Sequence, residues 1–209
     1  MDGVMGSLFK QVGSHLLGEF DPHEVIVEIG SDRWEGSTAY FADLAHTHRT
    51  RLITVDLDPE AYPRIVKTVN KNHLERVEFV CAEARNWCGS FNQRSRKIKV
   101  LYLDNFDWDW EPEQPSAEIK KQQAWYQKQG LTMTNLECQI SHLDQMTTLM
   151  PSMAPRSIVC IDDTYQHLGV YVGKGGAVVP YLLNNGYQML ESGDYGVILG
   201  RGIRNNIVQ

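Results

Sequence analysis

The chain has 209 residues, a formal net charge of −6 and four cysteines. This length suits one domain, residues 1–209, and its 42% hydrophobic and 22% charged residues exclude a disordered chain. The acidic balance argues against nucleic acid as a partner, because binding to phosphates needs clustered Lys and Arg. No apolar run approaches the length of a bilayer span, so we expect no membrane partner.

The N-terminal residues and the cysteines favour a cytoplasmic protein. Residues 1–20 lack the basic start, apolar core and small-residue site of a signal peptide. We interpret them as an N-terminal helical segment, with helical apolar spacing over residues 4–17. The cysteines show no CxxC spacing, and a chain of this length needs no disulfides to fold. The sequence is also compatible with a homodimer.

Strand and helix patterns alternate along the rest of the chain. Short β-branched runs predict strands over residues 24–30, 51–56, 77–82, 98–104 and 157–162. Apolar periodicity and capping residues predict helices over residues 37–45, 59–72, 134–150 and 177–185. A Gly-containing turn then separates two last strands, residues 187–191 and 195–200. This alternation predicts an α/β fold, a doubly wound and mostly parallel sheet with a C-terminal antiparallel hairpin.

Two segments fall outside that alternation. Residues 105–132 are predicted to be irregular, and their length suggests a lid over a substrate. Their aromatic residues would either stack on the substrate or form a small core inside the lid; they are Trp108, Trp110, Trp125 and Tyr126. Residues 169–180 are glycine-rich and predict a mobile loop at the substrate. Lys174 in this loop would either meet an anionic group or be exposed.

Acidic residues follow the predicted strands at their carboxyl ends. They are Glu28, Asp56, Asp104, Asp162 and Asp163. Ligands of open α/β sheets bind at this edge, and a buried carboxylate is costly unless it is paired. The set therefore indicates one ligand site, although any single acid could instead cap the following helix.

The first crossover, VEIGSDRWEGST, contains an acid, one spacer and a glycine, with further residues Gly36 and Ser37. It lacks the GxGxxG spacing of dinucleotide-binding folds. In this motif the chain resembles class I S-adenosylmethionine-dependent methyltransferases, which have a Rossmann-like sheet whose seventh strand is antiparallel. The resemblance implies a cofactor-binding set of Glu28, Gly30, Ser31, Gly36, Ser37, Asp56, Leu57, Glu83 and Asp104. In that family Asp56 would bind the ribose hydroxyls and Glu83 the adenine amino group.

The pair of motifs LYLD and CIDD resembles the metal-dependent small-molecule O-methyltransferases of the macrocin, sugar and catechol types. The resemblance implies that Asp104, Asp162 and Asp163 bind Mg²⁺ or a similar divalent cation. Such an ion holds an acceptor hydroxyl and lowers its pKa. The alternative is that Asp163 caps the next helix and that Asp104 alone is functional.

The catalytic candidates are Asp104, Asp107 and His142. The catechol type carries a lysine base at the position of Asp107, and an aspartate could replace it if its pKa were raised. Asp107 could equally be a solvated loop residue, and His142 a packing residue of an amphipathic helix. We therefore predict a metal-assisted O-methyltransferase acting on a small-molecule hydroxyl. The alternatives are a methyltransferase of nitrogen or of a macromolecule, with structural acids, and a catalytically silent cofactor-binding subunit.

Overall fold

The computed structural model of the chain describes residues 16–31, 36–91, 95–110, 112–193 and 195–203. These residues contain nine strands: β1 Glu24–Ile29, β2 Leu52–Asp56, β3 Val77–Cys81, β4 Lys97–Leu103, β5 Met153–Asp162, β6 Thr164–His167, β7 Val170–Gly173, β8 Gln188–Ser192 and β9 Gly196–Arg201. The same residues contain six α-helices: α1 Ser37–Thr47, α2 Ala61–Thr68, α3 Ala84–Phe91, α4 Ala117–Lys128, α5 Asn135–Leu149 and α6 Val178–Asn184. Two short 3-10 helices, Leu74–Arg76 and Met150–Ser152, precede β3 and β5.

Seven strands form one sheet in the order β3-β2-β1-β4-β5-β9-β8. The first five are parallel, and β9 is antiparallel to both β5 and β8. Ile29 pairs with Val55 and Leu103, and Leu103 pairs with Ile161, so four strands end at one edge. The predicted α/β fold with a seven-stranded, mostly parallel sheet and a C-terminal hairpin is confirmed.

The sheet is buried on both faces because successive strand residues point to opposite sides. Val27 and Ile29 of β1 pack with Trp87 of α3 in one cluster, which α5 and α6 also cover. Ile26 packs on the other face with Phe41 of α1. Fully burying an Ile or Phe side chain contributes about 1.5–3 kcal/mol, so these two clusters are the main stabilising element of the sheet.

Two helices and two strands were not predicted. Helix α3 follows β3 directly, and helix α4 lies inside residues 105–132, which were predicted to be irregular. The Ser116 hydroxyl caps α4 by accepting a hydrogen bond from the Ile119 amide at 3.2 Å. Strands β6 and β7 form a separate hairpin, and β7 lies within residues 169–180, which were predicted to be a loop.

Some sequence predictions fall on other parts of the chain. Residues 4–15 of the predicted N-terminal helix and residues 32–35 of the first crossover lie outside the described residues. None of the helices in the described part of the chain has the length and apolarity needed to span a bilayer.

Candidate active site

A pocket of about 290 Å³ opens at the carboxyl edge of the sheet, close to the lower end of the range for small-molecule sites. The residues that line it come from the ends of β1 to β5, from α4 and from the hairpin β6–β7. Among the described residues they are Gly30, Ser31, Val55, Asp56, Leu57, Ala82, Glu83, Ala84, Asp104, Asn105, Phe106, Asp107, Gln122, Trp125, Tyr126, Leu131, Asp162, Asp163 and Lys174.

The turn after β1 requires glycine at position 30. Gly30 has φ 94°, and a Cβ atom there would lie 2.5 Å from the carbonyl carbon of Asp104 and the amide nitrogen of Asn105. Both the left-handed backbone and the close approach of β4 exclude a side chain. The turn thus joins the predicted cofactor residues to the acidic end of β4.

Glu28 is fully buried behind this turn. Its carboxylate accepts hydrogen bonds from the hydroxyls of Ser37, Thr38 and Thr54 at 2.6–2.7 Å. Hydrogen bonds to a carboxylate offset the cost of burying its charge. Neither Glu28 nor Ser37 lines the pocket, and Gly36 caps α1 with φ 88°. These hydrogen bonds tie β1 to the start of α1 and to β2, and the role of Glu28 and Ser37 in cofactor binding stays a prediction.

Asp56 and Glu83 face the pocket from the ends of β2 and β3. Asp56 accepts hydrogen bonds from the amides of Ser31 at 2.9 Å and Asp58 at 2.7 Å, which fix the orientation of its carboxylate. Glu83 accepts from the amide of Asn86 at 2.9 Å, at the start of α3. Leu57 also lines the pocket. Two oriented carboxylates on neighbouring strand ends can accept hydrogen bonds from hydroxyl and amino groups of a ligand.

Lys174 enters the site from the end of the hairpin β6–β7. Its Nζ lies 2.7 Å from Asp104 Oδ1 and 3.0 Å from Asp163 Oδ2, and its side chain is 4% exposed. Burial alone would lower the pKa of Lys174. The carboxylates of Asp104, Asp163 and Asp162 outweigh that effect and raise the pKa well above its ordinary value. Lys174 is therefore a buried ammonium ion.

The three acids predicted to bind a metal converge at this place. One carboxylate oxygen from each of Asp104, Asp162 and Asp163 lies within 4.8 Å of the others. Oxygen atoms at this spacing suit a hard cation. The Lys174 ammonium, however, already bonds to two of the three carboxylates. The donor set therefore fits a divalent ion only if Lys174 moves away.

Asp107 lies on the pocket wall after an unusual turn. Its amide donates a hydrogen bond to the Tyr126 hydroxyl at 3.1 Å, and the preceding residue, Phe106, has φ 68°. A left-handed backbone at an aromatic residue costs about 1–3 kcal/mol and persists only where the surroundings fix it. Here the Phe106 ring packs on Tyr126, with 4.8 Å between the ring centroids.

Residues 105–132 have a small core of their own. Phe106, Tyr126, Met133 and Cys138 form a third buried cluster, with Trp108 and Trp125 packed against it. Trp125 and Tyr126 also line the pocket, whereas Trp110 stacks on Tyr165 with 5.6 Å between the ring centroids. Of the two predictions for these aromatic residues, the internal core applies to most of them. The segment's role as a lid stays a prediction.

His142 is fully buried and does not line the pocket. Its Nδ1 donates a hydrogen bond to the Cys138 carbonyl at 2.7 Å. Burial, and then the charge of Lys174, lower the pKa of His142 to about 4. A neutral imidazole without access to the pocket is unsuited to a general base, so the structure argues against the catalytic role considered for His142.

Two pocket side chains carry buried oxygen atoms without a partner in the described part of the chain. They are Asn105 Oδ1 and Gln122 Oε1. Buried polar atoms are nearly always hydrogen-bonded, so an unmatched acceptor on a pocket wall indicates a place for a donor group of a ligand. Sequence reasoning missed both residues: Asn105 adjoins Asp104 in the chain, but Gln122 lies on the helix that was not predicted.

No protein-family model and no curated protein matches the chain. Solved structures share its fold. A Clostridium thermocellum protein named as an rRNA methylase is 11% identical, with a TM-score of 0.58 over 96% of this chain and 97% of that one. A Streptococcus mutans protein named as a methyltransferase, solved with S-adenosylhomocysteine, is 12% identical, with a TM-score of 0.55 over 96% and 99%.

CalS11, a TDP-rhamnose 3′-O-methyltransferase of calicheamicin biosynthesis, is 18% identical, with a TM-score of 0.54 over 95% of this chain and 77% of that one. At these identities the likeness concerns the fold alone. The chain therefore has the fold of S-adenosylmethionine-dependent methyltransferases.

Proposed function

We propose that the chain is an S-adenosylmethionine-dependent methyltransferase that acts on a hydroxyl group of a small molecule. One observation carries this proposal: a single pocket joins the Gly30 turn, Asp56 and Glu83 to the carboxylates of Asp104 and Asp107. The resemblance to class I methyltransferases implies that the first three bind the cofactor, and the last two line the same pocket. Both substrates of a group transfer would thus meet in one place, which is the main contribution of such an enzyme.

The cofactor side has the polar groups that S-adenosylmethionine requires. Asp56 would accept hydrogen bonds from the ribose hydroxyls and Glu83 from the adenine amino group, and backbone amides hold both carboxylates in place. Bound there, S-adenosylmethionine would supply a methyl group on a positively charged sulfur and depart as S-adenosylhomocysteine.

The charge of the pocket supports a cationic ligand. Six carboxylates line it, and Lys174 is the single cation among the described lining residues. A cleft dominated by one sign of charge attracts ligands of the opposite sign. The sulfonium and ammonium groups of S-adenosylmethionine satisfy this condition, and the free oxygens of Asn105 and Gln122 suit the ammonium N–H groups.

On the acceptor side we assign proton removal to Asp107. The acceptor hydroxyl would give its proton to this carboxylate while the oxygen forms the new bond to the methyl carbon. The carbon–sulfur bond breaks with its electron pair, so the charge of the sulfonium is lost. Trp125 and Tyr126 line the same pocket, and their rings would help to keep water from the reacting oxygen. Assistance by a divalent metal, implied by the sequence resemblance, stays a prediction.

The acidity of the site favours a small molecule over RNA as the acceptor. CalS11 is a sugar O-methyltransferase, whereas another structure with the same fold is named as an rRNA methylase. The net charge of −6 and the carboxylates of the pocket repel a phosphate backbone.

Calorimetry with S-adenosylhomocysteine tests the cofactor side. We expect a micromolar dissociation constant, about −8 kcal/mol at 1 µM. Asp56→Asn should weaken binding by about 1–3 kcal/mol, because the ribose hydroxyls lose a charged acceptor. Asp58→Asn is the matched control, since Asp58 lies in the same loop but pairs with Arg64 instead of lining the pocket. No binding to the wild-type chain, or equal binding to both variants, would refute the assignment.

A screen of acceptors tests the reaction itself. Release of S-adenosylhomocysteine would be measured with polyhydroxylated small molecules, amines and RNA. Turnover with a hydroxyl compound, lost in Asp107→Asn with cofactor affinity retained, is the expected result. Turnover with amines or RNA alone would move the acceptor to another class, and binding without any turnover would indicate a silent subunit.

A further inference from the structure

The position between the acids at the ends of β4 and β5 is filled by a side chain of the protein itself. The Lys174 ammonium bonds to Asp104 at 2.7 Å and to Asp163 at 3.0 Å, with 4% of its side chain exposed. Asp104 also accepts a hydrogen bond from the Tyr102 hydroxyl at 3.2 Å. The acids therefore already have a cation and a donor from within the chain.

The backbone fixes Lys174 in this position. Its amide donates to the Asp163 carbonyl at 3.0 Å, and the next amide, of Gly175, donates to the Thr164 hydroxyl at 2.8 Å. A Cβ atom at Gly173 would lie 1.8 Å from the Asp163 carbonyl oxygen, which shows how closely the two strands approach. Lys174 is thus held beside Asp163 by the register of the hairpin β6–β7, with little freedom to swing out.

A divalent ion and this ammonium cannot share the same oxygens without strong repulsion. Metal–oxygen bonds to Mg²⁺ are about 2.1 Å long, so an ion bound to Asp104 Oδ1 would lie within about 5 Å of Lys174 Nζ. In a buried site, repulsion between a doubly and a singly charged cation at this distance is barely screened. Either the lysine or the metal occupies the cluster.

We propose that Lys174 permanently replaces the divalent metal in this site, and that its remaining N–H group holds the oxygen of the acceptor. An ammonium group has three donors. Within the described residues, Asp104 accepts a hydrogen bond from one of them, Asp163 Oδ2 forms an ion pair with Nζ at 3.0 Å, and Lys174 lines the pocket. Even if the ion pair with Asp163 occupies a second N–H group, the third is available to a ligand oxygen, where a metal would offer an open coordination site.

This arrangement specifies the acceptor, provided that the proposed methyl transfer is correct. A metal ion chelates two oxygens of a diol, whereas one N–H group holds a single oxygen. A metal also lowers a hydroxyl pKa far more than an ammonium at hydrogen-bond distance. The acceptor should therefore be acidic in its own right, a phenol with one reacting hydroxyl, rather than a sugar diol.

Titration with Mn²⁺, followed by electron paramagnetic resonance, tests the replacement without any acceptor. EDTA-treated wild-type protein should bind no Mn²⁺ at the acid cluster. Lys174→Met keeps the length of the side chain and removes its charge, so its affinity for Mn²⁺ should rise on the order of 100-fold. Lys174→Arg keeps the charge and should behave as the wild type. The matched control is Lys67→Met, because Lys67 is exposed on α2.

One equivalent of Mn²⁺ bound by the wild type, or no gain in Lys174→Met, would overturn the proposal. If Lys174→Met does not fold without metal, the wild-type titration decides: one bound Mn²⁺ overturns the proposal and none supports it. Turnover of vicinal diols that stops in EDTA would also overturn it, and turnover of monophenols in EDTA would support it. Calorimetry with S-adenosylhomocysteine is independent of these results, so failure of the proposed function would be recognised separately.

Discussion

The pocket has two halves that are built in different ways. On the side proposed for the cofactor, Gly30 follows β1, Asp56 ends β2 and Glu83 lies two residues after β3, and backbone amides orient the two carboxylates. On the acceptor side, Asp104 pairs with Lys174, 70 positions away in the chain, and the wall comes from helix α4. The first half is specified by short local motifs, and the second by long-range packing.

The two halves also neutralise their charges differently. The buried Glu28 accepts hydrogen bonds from three neutral hydroxyl groups, whereas Asp104 and Asp163 share a buried ammonium ion. Breaking a buried ion pair leaves a charge without compensation, which costs more than the loss of a neutral hydrogen bond. The acceptor half should therefore be the more sensitive of the two to changes of charge.

The largest effect is expected at the turn that joins the halves. Gly30→Ala places a Cβ atom 2.5 Å from the backbone of Asp104 and Asn105 at φ 94°. Strain and overpacking together should lower the free energy of unfolding by about 4 kcal/mol, measured by denaturant titration. Gly36→Ala is the matched control: it has φ 88°, but apart from its chain neighbours no atom of the described residues lies within 4 Å of a Cβ atom there, so it should lose only about 1–2 kcal/mol. Equal losses would mean that the halves are not in close contact there.

The pH dependence of stability tests how tightly the acceptor half is packed. Burial and the charge of Lys174 lower the pKa of His142 from 6.5 to about 4. Between these values the unfolded chain binds a proton that the folded chain excludes. The free energy of unfolding should therefore fall by about 3 kcal/mol as pH decreases from 6.5 to 4.

His142→Gln should remove this part of the pH dependence, whereas His167→Gln, at an exposed position of the hairpin, should keep it. The measurement is denaturant unfolding of the three proteins across that pH range. Parallel curves for all three would show that His142 is accessible to water and that the packing below Lys174 is loose.

The sequence predicted the sheet, and it predicted that Gly30, Asp56 and Glu83 lie at one edge of it, because both depend on local patterns. β-branched runs ended by an acid placed Asp56 and Asp104 at the correct edge, and the ExG motif placed the Gly30 turn. Helix α4 was missed because Pro112 and Pro115 suggested an irregular segment. The sequence does contain a helix-start pattern there, because the N-cap residue Ser116 is followed by residues with high helix propensity.

The acceptor half was predicted only in part. Asp104, Asp162 and Asp163 do converge, but the pairing of Asp163 with Lys174 depends on the hairpin β6–β7, whereas the glycines of residues 169–180 predict a mobile loop. Cross-strand register brings these residues together, and composition alone does not reveal register. Glu28 is a second example of a long-range contact that sequence does not reveal. The ExG motif identifies Glu28, but not the three hydroxyl groups that donate hydrogen bonds to its carboxylate.

A smaller loss of stability is expected when Glu28 is changed. This variant would distinguish a residue that stabilises the turn from a residue that contacts the cofactor. Glu28→Gln keeps the shape of the side chain but replaces one carboxylate oxygen by an amide NH2 group. That group would face hydroxyls that donate hydrogen bonds to the carboxylate in the wild type. The free energy of unfolding should fall by about 2 kcal/mol. Affinity for S-adenosylhomocysteine should stay unchanged at temperatures where the variant is folded. The exposed Glu60→Gln is the control. A loss of affinity without a loss of stability would place Glu28 in the cofactor site.

The smallest effect on stability is expected in Tyr126→Phe, which removes one hydroxyl from the wall of the acceptor half. That hydroxyl accepts a hydrogen bond from the Asp107 amide at 3.1 Å, and the ring stays packed on Phe106. Its loss should cost about 1 kcal/mol and let the Asp107 carboxylate drift from the acceptor. Turnover should therefore fall while calorimetry gives an unchanged affinity for S-adenosylhomocysteine.

Tyr62→Phe is the matched control, since Tyr62 is 53% exposed on α2 and should leave every measurement unchanged. Equal losses of turnover and cofactor affinity in Tyr126→Phe would contradict the division of the pocket. They would mean that helix α4 closes over both ligands together, because a hydroxyl on the acceptor wall would then also position the cofactor.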